Sequence, residues 1–331
     1  MRQLVLTAPG HFSYRTVEAP SSAEGEALVR IERIGVCGSD FHAFAGSHPA
    51  YVYPRVLGHE LAGTVISVSE NPHGIQDGDL CAIDPYVNCQ QCAMCLIGRT
   101  NCCERLEVLG VHRDGGMQNQ LVVPLRLLHR SRTLALEELA LVETLGIGAH
   151  AVARSNLRTS ESALIIGAGP IGLGTAAFAR EAGASVIVVE RNPTRRAFAQ
   201  RLGWNVLSSA DGHFADVVFD ATGSKQSMSQ SLYCVSPGGR LIFVGLTSEA
   251  VALNDGEFHK REITLMASRN SAHQFPRIIR LLETGAISVK DWVTHRLDIS
   301  ELPTQFAALP GRSDLVKAVV SIEHNHSNVS L

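Results

Sequence analysis

Residues 163–172 read ALIIGAGPIG, and this stretch decides the fold of a large part of the chain. The apolar run Ala163–Ile166 is typical of a buried strand, and a helix-like stretch follows the glycines. In this G-x-G-x-x-G pattern Gly167 would make a tight turn, Gly169 would let a pyrophosphate approach the backbone, and Gly172 would let the helix pack on the strand. The stretch predicts a βαβ unit that binds a dinucleotide at the helix N-terminus, rather than a glycine-rich turn without a ligand.

An acidic residue after the next predicted strand indicates which dinucleotide binds. Glu190 follows the apolar run Ser185–Val189, about 20 residues beyond the glycines, where a carboxylate binds the ribose hydroxyls. That carboxylate would repel a 2′-phosphate, so NAD is favoured over NADP as the cofactor. Arg191 and Arg195 complicate this preference, because guanidinium groups bind phosphate well, although each is equally compatible with a solvated helix start.

Apolar strands continue to alternate with helix-like stretches beyond the quoted motif, which predicts a doubly wound parallel sheet. Only about nine residues separate a short strand at Asn205–Leu207 from the strand that begins at Val217, and a parallel crossover normally needs a dozen or more. The helix expected there is missing, so the adenine end of the sheet is predicted to be trimmed. The strands predicted in this region are Ala163–Ile166, Ser185–Val189, Val217–Asp220, Leu241–Val244 and Ile263–Ala267.

The residues on either side of this region have a different texture. The first 140 or so residues contain short β-like runs separated by Gly, Pro and Asp, which predicts an irregular β-barrel or sandwich. Similar runs return at Thr294–Leu297 and Lys317–Ile322. The nucleotide domain, residues 145–270, is therefore predicted to be inserted between residues 1–144 and 271–331 of the other domain. The end of the chain, around His324–His326, is interpreted as a polar tail.

Bulk properties exclude some function classes. A chain of 331 residues is long enough for two cores, and a net charge of −3 gives no electrostatic case for binding nucleic acid. No apolar run approaches the roughly 20 residues of a membrane helix. The segment Met1–Pro9 lacks the apolar region and cleavage site of a secretory signal, so we expect a cytoplasmic protein with reduced thiols.

Cysteines crowd into one short lobe, about residues 88–104. Thiolates at a C-x2-C-x2-C-x7-C spacing can converge on one Zn²⁺, and four sulfurs leave no open position, which predicts a structural zinc. Cys102 is spare, whereas Cys81 and Cys234 fit buried core positions. The four predicted ligands are Cys89, Cys92, Cys95 and Cys103.

A second set of metal-ligating residues has mixed chemistry. Cys37 lies in GVCGSD, His59 and Glu60 lie in GHE, and Glu143 follows Val142. One thiolate, one imidazole and one or two carboxylates can hold zinc and keep a position for water or an alcohol. Because these residues are far apart in sequence, their spacing alone leaves open whether they meet.

Taken together, GVCGSD-x-H, GHE, CQQC-x2-C-x2-GRTNCC, the VE pair ending at Glu143 and GAGPIG resemble the zinc-containing medium-chain dehydrogenase/reductase family. The resemblance covers essentially the whole chain with the motifs in the family's order. The stretches YPRVLGHE, GRTNCCE, GVHRDGG and EFHKRE resemble the sorbitol-type branch of polyol and sugar-acid enzymes. The resemblance implies an α/β fold in which a Rossmann domain is inserted into a GroES-like β-barrel domain. The missing crossover helix departs from this pattern.

The resemblance also implies two zinc ions per subunit, one catalytic and one structural. Cys37 and His59 would bind the catalytic ion directly, and Glu143 matches the carboxylate found where alcohol dehydrogenase relatives have Cys. Direct binding by Glu143 and binding through water remain open. Glu60 would be either a ligand or a carboxylate that orients its neighbours, and Asp40 would fix the imidazole of His59.

Further roles follow from the same resemblance. Ser39 would accept the substrate proton and pass it through the ribose to His42, which would release it to solvent. Ser39 as a turn hydroxyl and His42 as an ordinary loop residue are the alternatives. Lys317 would reach the pyrophosphate or be a solvated strand lysine. The remaining candidate cofactor contacts are Pro170, Ile171, Thr222, Gly245, Leu246, Ser268 and Arg269.

The expected activity is NAD-dependent oxidation of a secondary alcohol on a polyol or a galactonate-like sugar acid. Polar side chains in the loops Phe44–Arg55 and His112–Met117 suit a polyhydroxylated substrate, and an Arg there could meet a carboxylate. The alternatives are a dehydrogenase of simple alcohols and a non-catalytic nucleotide-binding or structural protein on the same scaffold. The resemblance also implies a homodimer or homotetramer, formed at a sheet edge near Ile263–Ala267.

Overall fold

The computed structural model describes residues 1–322, and the predicted polar tail at His324–His326 lies outside them. The chain divides into two compact units. The first contains Met1–Glu143 and the segment that begins at Phe275, and the second contains Thr144–Gln274. The boundaries predicted from sequence followed residues 144 and 270. Among the described residues no helix is long and apolar enough to span a membrane.

Strands and helices are numbered in chain order. The strands are β1 (Arg2–Ala8), β2 (His11–Thr16), β3 (Glu26–Val36), β4 (Glu60–Val68), β5 (Leu80–Ile83), β6 (Tyr86–Val87), β7 (Glu107–Val108), β8 (Gln120–Pro124), β9 (Leu128–Ser131), β10 (Ser162–Ile166), β11 (Ser185–Val189), β12 (Val206–Leu207), β13 (Ala215–Asp220), β14 (Val235–Phe243), β15 (Thr264–Ala267), β16 (Val293–Asp298) and β17 (Lys317–Ser321). The helices are α1 (Gly38–Phe44), α2 (Ala93–Leu96), α3 (Leu136–Ala140), α4 (Val142–Ser155), α5 (Pro170–Glu181), α6 (Pro193–Arg201), α7 (Lys225–Ser231), α8 (Asp255–Lys260), α9 (Phe275–Glu283) and α10 (Leu302–Gln305).

The second unit contains a parallel sheet in the order β12-β11-β10-β13-β14-β15. The order reverses at β10, which is the point where doubly wound sheets bind ligands beyond the carboxyl ends of their strands. Gly169 precedes helix α5, which begins at Pro170, and the side chain of Asn192 caps α6 by accepting from the backbone N–H groups of Thr194 and Arg195. The predicted doubly wound sheet is confirmed.

The connection from β12 to β13 has no helix. Residues 208–214 form turns and irregular backbone, and they lead from the edge of the sheet to the far side of β10. The prediction of a trimmed crossover is confirmed. Strand β12 consists only of Val206 and Leu207, so the connection to β13 has only a short strand to run back along.

The first unit is built on a mostly antiparallel sheet in the order β16-β17-β3-β4-β5-β9, with β8 also pairing with β3. Residues from both segments of the unit form its core, among them Ile31 and Ile34 of β3, Leu61 of β4 and Val320 of β17. The last strand of the described chain therefore lies between β16 and β3, inside the sheet.

Pairing between β3 and β4 brings the two halves of the mixed ligand set together. Gly35 lies opposite Glu60 in the register, so Cys37, just past the end of β3, is held close to His59, just before β4. A side chain at Gly35 would overlap the Glu60 carboxylate, because a Cβ there would lie 1.9 Å from its Oε2. Glycine at this position keeps the carboxylate in place.

The cysteine lobe is closed at its base by a two-stranded ribbon. Strand β6 enters the lobe and pairs antiparallel with β7, which leaves it. Gln90 and Gly98, at φ values of 61° and 78°, make the tight turns inside the lobe.

Candidate active site

Cys37, His59 and Glu60 form the mixed cluster. One ligand atom of each lies within 4.8 Å of the others, and His59 and Glu60 are buried. A thiolate, an imidazole and a carboxylate at this separation can share one metal ion. The pairing of β3 with β4 therefore brings together residues whose sequence spacing alone left open whether they meet.

Asp40 orients this cluster from behind. It is fully buried, its Oδ2 accepts from the backbone N–H of Cys37 at 2.9 Å, and its Oδ1 lies 3.7 Å from Nδ1 of His59. Burial raises the pKa of Asp40, and the neighbouring His59 opposes that rise. A carboxylate on one ring nitrogen directs the other nitrogen towards a metal, as the sequence predicted for Asp40.

Lys317 lies beside the same cluster. Its side chain is buried, and its Nζ donates to Glu60 and to the backbone carbonyl of Val36. The alternative that Lys317 is solvated is wrong, since the side chain is buried, and its contact with a pyrophosphate stays a prediction. Register explains the difference, because Ala318 pairs with Val36 and this places the neighbouring lysine beside the cluster.

Glu143 lies in the first turn of α4 and outside the group whose ligand atoms lie within 4.8 Å. Its Oε1 accepts a hydrogen bond from the hydroxyl of Tyr86, and both side chains are buried. Burial raises the pKa of Glu143, while His59 acts in the opposite direction. Tyr86 was not among the predicted site residues, although its place three residues before Cys89 was a signal that could have found it.

The charges around the cluster test whether its residues fit a cation. Burial by itself would lower the pKa of His59, but Asp40 and Cys37 raise it well above its usual value. Burial likewise acts to lower the pKa of Lys317, and Glu60 and Cys37 raise it. The anionic groups thus stabilise positive charge in their midst, which is what a site for a divalent metal requires.

The four-sulfur cluster assembles as predicted. The Sγ atoms of its members lie within 4.8 Å of one another, and those of Cys89 and Cys95 are 3.9 Å apart. Cys102 lies outside the set, while Cys81 and Cys234 are buried in the cores of the two units, as predicted. The members are Cys89, Cys92, Cys95 and Cys103.

Backbone N–H groups point at these sulfurs and favour thiolates. Cys103 accepts from the backbone N–H groups of Cys89 and Arg105, both at 3.3 Å. Backbone hydrogen bonds lower the pKa of Cys89 to about 6 and also lower that of Cys92, whereas burial and the neighbouring Cys92 raise that of Cys95. Thiolates are the form that binds zinc, so the lobe fits the ion that the sequence predicted.

The two proposed proton-relay residues lie on α1. The Oγ of Ser39 is 3.5 Å from Nε2 of His59, beside the metal cluster. His42, three residues further along the helix, is exposed, and its Nδ1 lies 3.2 Å from the hydroxyl of Ser47.

The loops predicted to line the substrate site contain arginines that already have partners. Arg55 contacts Asp114, whose Oδ1 also accepts from the backbone N–H of Val56, and Arg113 pairs with Glu107 at 3.7 Å. Tyr51 differs, because its ring is buried and its hydroxyl has no hydrogen-bond partner among the described residues. Burial and the charge of Asp40 raise the pKa of Tyr51, and the side chain of Ser39 lowers it.

The second unit carries a cleft of about 850 Å³ at the predicted nucleotide site. Two glycines of the G-x-G-x-x-G motif have different surroundings. A Cβ at Gly172 would lie 1.8 Å from the carbonyl oxygen of Gly167, whereas a Cβ at Gly169 would meet no protein atom within 4 Å and would project into open space. Gly172 permits helix packing, and Gly169 leaves room for a ligand.

Glu190 lies at the wall of this cleft in a fixed position. Its Oε2 accepts from the backbone N–H of Ala168 at 2.9 Å, and its Oε1 accepts from that of Asn192 at 2.8 Å. The carboxylate therefore also stabilises the glycine-rich turn. Arg191 and Arg195 line the same cleft.

The other predicted cofactor residues fall into two groups. Thr222 lines the cleft, and its hydroxyl donates to Asp220 at 2.6 Å. Leu246 is 84% exposed, and the buried hydroxyl of Ser268 has no hydrogen-bond partner among the described residues. The cleft lining does not include Pro170, Ile171, Gly172, Gly245, Leu246, Ser268 or Arg269.

Comparison with known proteins identifies the family. Residues 23–133 match the alcohol dehydrogenase GroES-like domain, and residues 170–284 match the zinc-binding dehydrogenase domain. The chain belongs to the zinc-containing alcohol dehydrogenase family. It is a zinc-dependent dehydrogenase with a GroES-like domain and a Rossmann-type sheet, as the sequence predicted.

Two curated relatives belong to the sugar-acid branch of this family. L-galactonate-5-dehydrogenase of Escherichia coli K12 is 38% identical and aligns over 97% of this chain and 99% of its own. The 2-dehydro-3-deoxy-L-galactonate 5-dehydrogenase of Pseudoalteromonas atlantica is 31% identical, over 94% and 96%. The chain is thus an NAD(P)-dependent enzyme of the polyol and sugar-acid branch.

Of two similar solved structures, one contains NADP and the other contains NADH. A zinc-binding dehydrogenase of Sinorhizobium meliloti 1021 bound to NADP is 29% identical, with a TM-score of 0.90 over 97% of this chain and 98% of that one. An Escherichia coli CFT073 alcohol dehydrogenase complexed with NADH is 27% identical, with a TM-score of 0.90 over 97% and 99%.

Proposed function

We propose that this dehydrogenase oxidises a secondary hydroxyl of a sugar acid or polyol, with a galactonate-like acid as the first candidate, and uses NAD. The observation that carries the proposal is the cluster of half-buried Cys37 with buried His59 and Glu60, with Asp40 behind the imidazole and Ser39 beside it. The sugar-acid substrates of the two curated relatives favour the same class.

The protein residues hold two groups that supply the chemistry. Cys37 and His59 would hold the catalytic zinc, with Glu60 as a third ligand or an exchanging one and Glu143 bound directly or through water. When bound, zinc supplies Lewis acidity to the substrate hydroxyl, and the nicotinamide accepts hydride from the carbinol carbon. Ser39 would accept the hydroxyl proton and pass it through the cofactor ribose to exposed His42, which would release it to solvent.

Cofactor choice depends on Glu190. Because two backbone N–H groups hold both of its oxygens, the carboxylate cannot easily turn away from a 2′-phosphate. Gly167, Gly169, Thr222, Arg191 and Arg195 would complete the adenosine side of the site. We therefore favour NAD as the cofactor.

Assembly and location complete the proposal. β15 is the edge strand of the sheet in the second unit, and an unpaired edge of this kind can pair with a second copy to give a homodimer or homotetramer. A cytoplasmic location suits a lobe that needs four thiolates. Light scattering of the purified protein tests the first part.

A spectrophotometric screen tests the activity. Cofactor reduction is followed with L-galactonate, other hexonates, hexitols, ethanol and 2-propanol, each with NAD and with NADP. We expect kcat/KM to be highest for a hexonate or hexitol with NAD. Faster turnover of simple alcohols would support a simple alcohol dehydrogenase, and NAD binding without any reduction would support a non-catalytic protein.

A further inference from the structure

Tyr86 joins the buried carboxylate of Glu143 to the strand that leads into the four-sulfur lobe. Its hydroxyl donates to Oε1 of Glu143 beside the catalytic cluster, and it lies three residues before Cys89 of the four-sulfur lobe. We propose that Tyr86 is a positioning residue for Glu143, and that zinc in the four-sulfur lobe fixes the catalytic centre through it. The inference rests on the proposed zinc sites but is independent of the substrate.

Tyr86 and Glu143 are both buried. Tyr86 is 7% exposed and Glu143 is 4% exposed, so water does not compete for their hydrogen bond. A phenylalanine would fill the same space in the core around Tyr86, and therefore packing does not account for the hydroxyl. The hydroxyl fixes one carboxylate oxygen of Glu143 and leaves the other to face the metal site or a bound water.

The position of Tyr86 is set by the base of the lobe. Tyr86 pairs with Val108 in the ribbon, Val87 pairs with Glu107, and the backbone N–H of Leu109 donates to the carbonyl of Pro85 at 3.0 Å. A ribbon of two residues per strand is too short to be stable by itself. Its register must be held from the lobe side or from the core side.

The core holds Tyr86 and Val108, and contacts next to the lobe add to that support. The backbone N–H of Cys89 donates to Sγ of Cys103 at 3.3 Å, which joins the entering strand to the leaving strand immediately beyond the ribbon. The guanidinium of Arg126 donates to the carbonyl of Asn88 at 3.1 Å and fixes the chain between Tyr86 and the first thiolate. Zinc held by all four thiolates would lock this closure, because it ties the two strands to one ion.

The test follows zinc release to a chelating dye, which needs neither substrate nor cofactor. The kinetic phase that is absent from Cys37→Ala identifies the catalytic ion. We expect Tyr86→Phe to accelerate that phase by about 10- to 100-fold and to leave the lobe phase unchanged. Tyr53→Phe is the matched control, since its hydroxyl bonds the carbonyl of Ala43 instead, and it should leave both phases unchanged.

A second set of variants tests the coupling between the four-sulfur lobe and the catalytic site. Cys92→Ala, which opens the lobe, should accelerate catalytic zinc release as Tyr86→Phe does, and combining the two should add nothing further. If Cys92→Ala does not fold, Arg126→Leu replaces it. This variant removes the hydrogen bond to Asn88 at the base of the lobe and keeps all four thiolates. If Tyr86→Phe released the catalytic zinc at the wild-type rate, the positioning role of Tyr86 would be wrong. A lobe variant that speeds lobe release alone, or effects that multiply in the double variant, would overturn the coupling.

These outcomes are separable from a failure of the proposed function. Wrong substrates or a preference for NADP would appear in the spectrophotometric screen and would leave zinc release unaltered. A protein that lacks the phase assigned to Cys37 would instead contradict the catalytic zinc itself.

Discussion

The Nζ of Lys317 donates to Oε1 of Glu60 at 2.5 Å, and the two side chains are only 3% and 1% exposed. Removing one partner leaves a buried charge without compensation. We expect Lys317→Met to lower the free energy of unfolding of the metal-free protein by about 3–5 kcal/mol, measured by urea denaturation. Lys317→Met/Glu60→Gln should recover part of this loss. A loss below about 1 kcal/mol in the single variant would show that the pair is not compensating buried charge.

The two cysteine sites should respond differently to removal of one ligand. Cys37→Ala should abolish turnover, lose one zinc per subunit and leave the melting temperature and cofactor affinity largely intact, because its cluster lies at the end of β3 and not within a folded lobe. Cys92→Ala should lower the melting temperature, since metal binding folds the lobe. Metal analysis and calorimetry measure both. Turnover by Cys37→Ala would mean that zinc does not activate the substrate.

Two tyrosines of one loop form a matched pair for stability. Tyr51→Phe removes a buried hydroxyl without a hydrogen-bond partner among residues 1–322 and should be neutral or slightly stabilising. Tyr53→Phe removes a hydrogen bond to Ala43 and should cost about 1 kcal/mol. Urea midpoints of the two variants provide the comparison. A clear loss in Tyr51→Phe would reveal an interaction that the structure does not contain.

His129 predicts part of the dependence of stability on pH. Burial lowers its pKa to about 4 from an ordinary value of 6.5, and its ring packs on Phe275 with centroids 5.0 Å apart. The unfolded chain then binds the proton more readily, so stability falls as pH drops below 6.5 and stops falling below about 4.

The corresponding variant is His129→Leu. Between pH 7.5 and pH 5 it should lose about 2 kcal/mol less than the wild type. Comparing the two proteins at each pH cancels the contribution of the zinc ligands, which both share. Equal losses in the two proteins would exclude a neutral buried imidazole.

Glu190 should affect cofactor choice and the glycine-rich turn together. Glu190→Gln removes the charge near the 2′ position and keeps an oxygen for one backbone N–H, so we expect the kcat/KM ratio of NADP to NAD to rise about 10-fold. Glu190→Ala should also weaken binding of both cofactors, because Ala168 and Asn192 lose their acceptor. Fluorescence titration measures binding directly. An unchanged ratio in Glu190→Gln would show that the charge of Glu190 does not determine cofactor choice.

Sequence analysis predicted the parallel sheet because its strands are continuous apolar runs and its turn has a fixed glycine pattern. It also predicted the four-sulfur lobe, since those ligands are close together in the chain. Lys317 could not be placed, because its environment depends on the register of β17 against β3, which pairs residues almost 300 positions apart. The bond between Tyr86 and Glu143 was missed for the same reason, as it joins a short ribbon to a distant helix.

The position of β17 has a consequence for the order of folding during synthesis. Residues 317–321 occupy an interior place in the sheet of the first unit, next to β3. Residues 1–143 therefore lack an internal strand of their sheet until Lys317–Ser321 have been translated, whereas residues 144–274 contain their whole sheet and can fold earlier. The zinc-binding unit of this enzyme cannot complete its sheet before β17 is made, and a nascent chain stalled before β17 would expose an unpaired edge of β3 to chaperones and proteases.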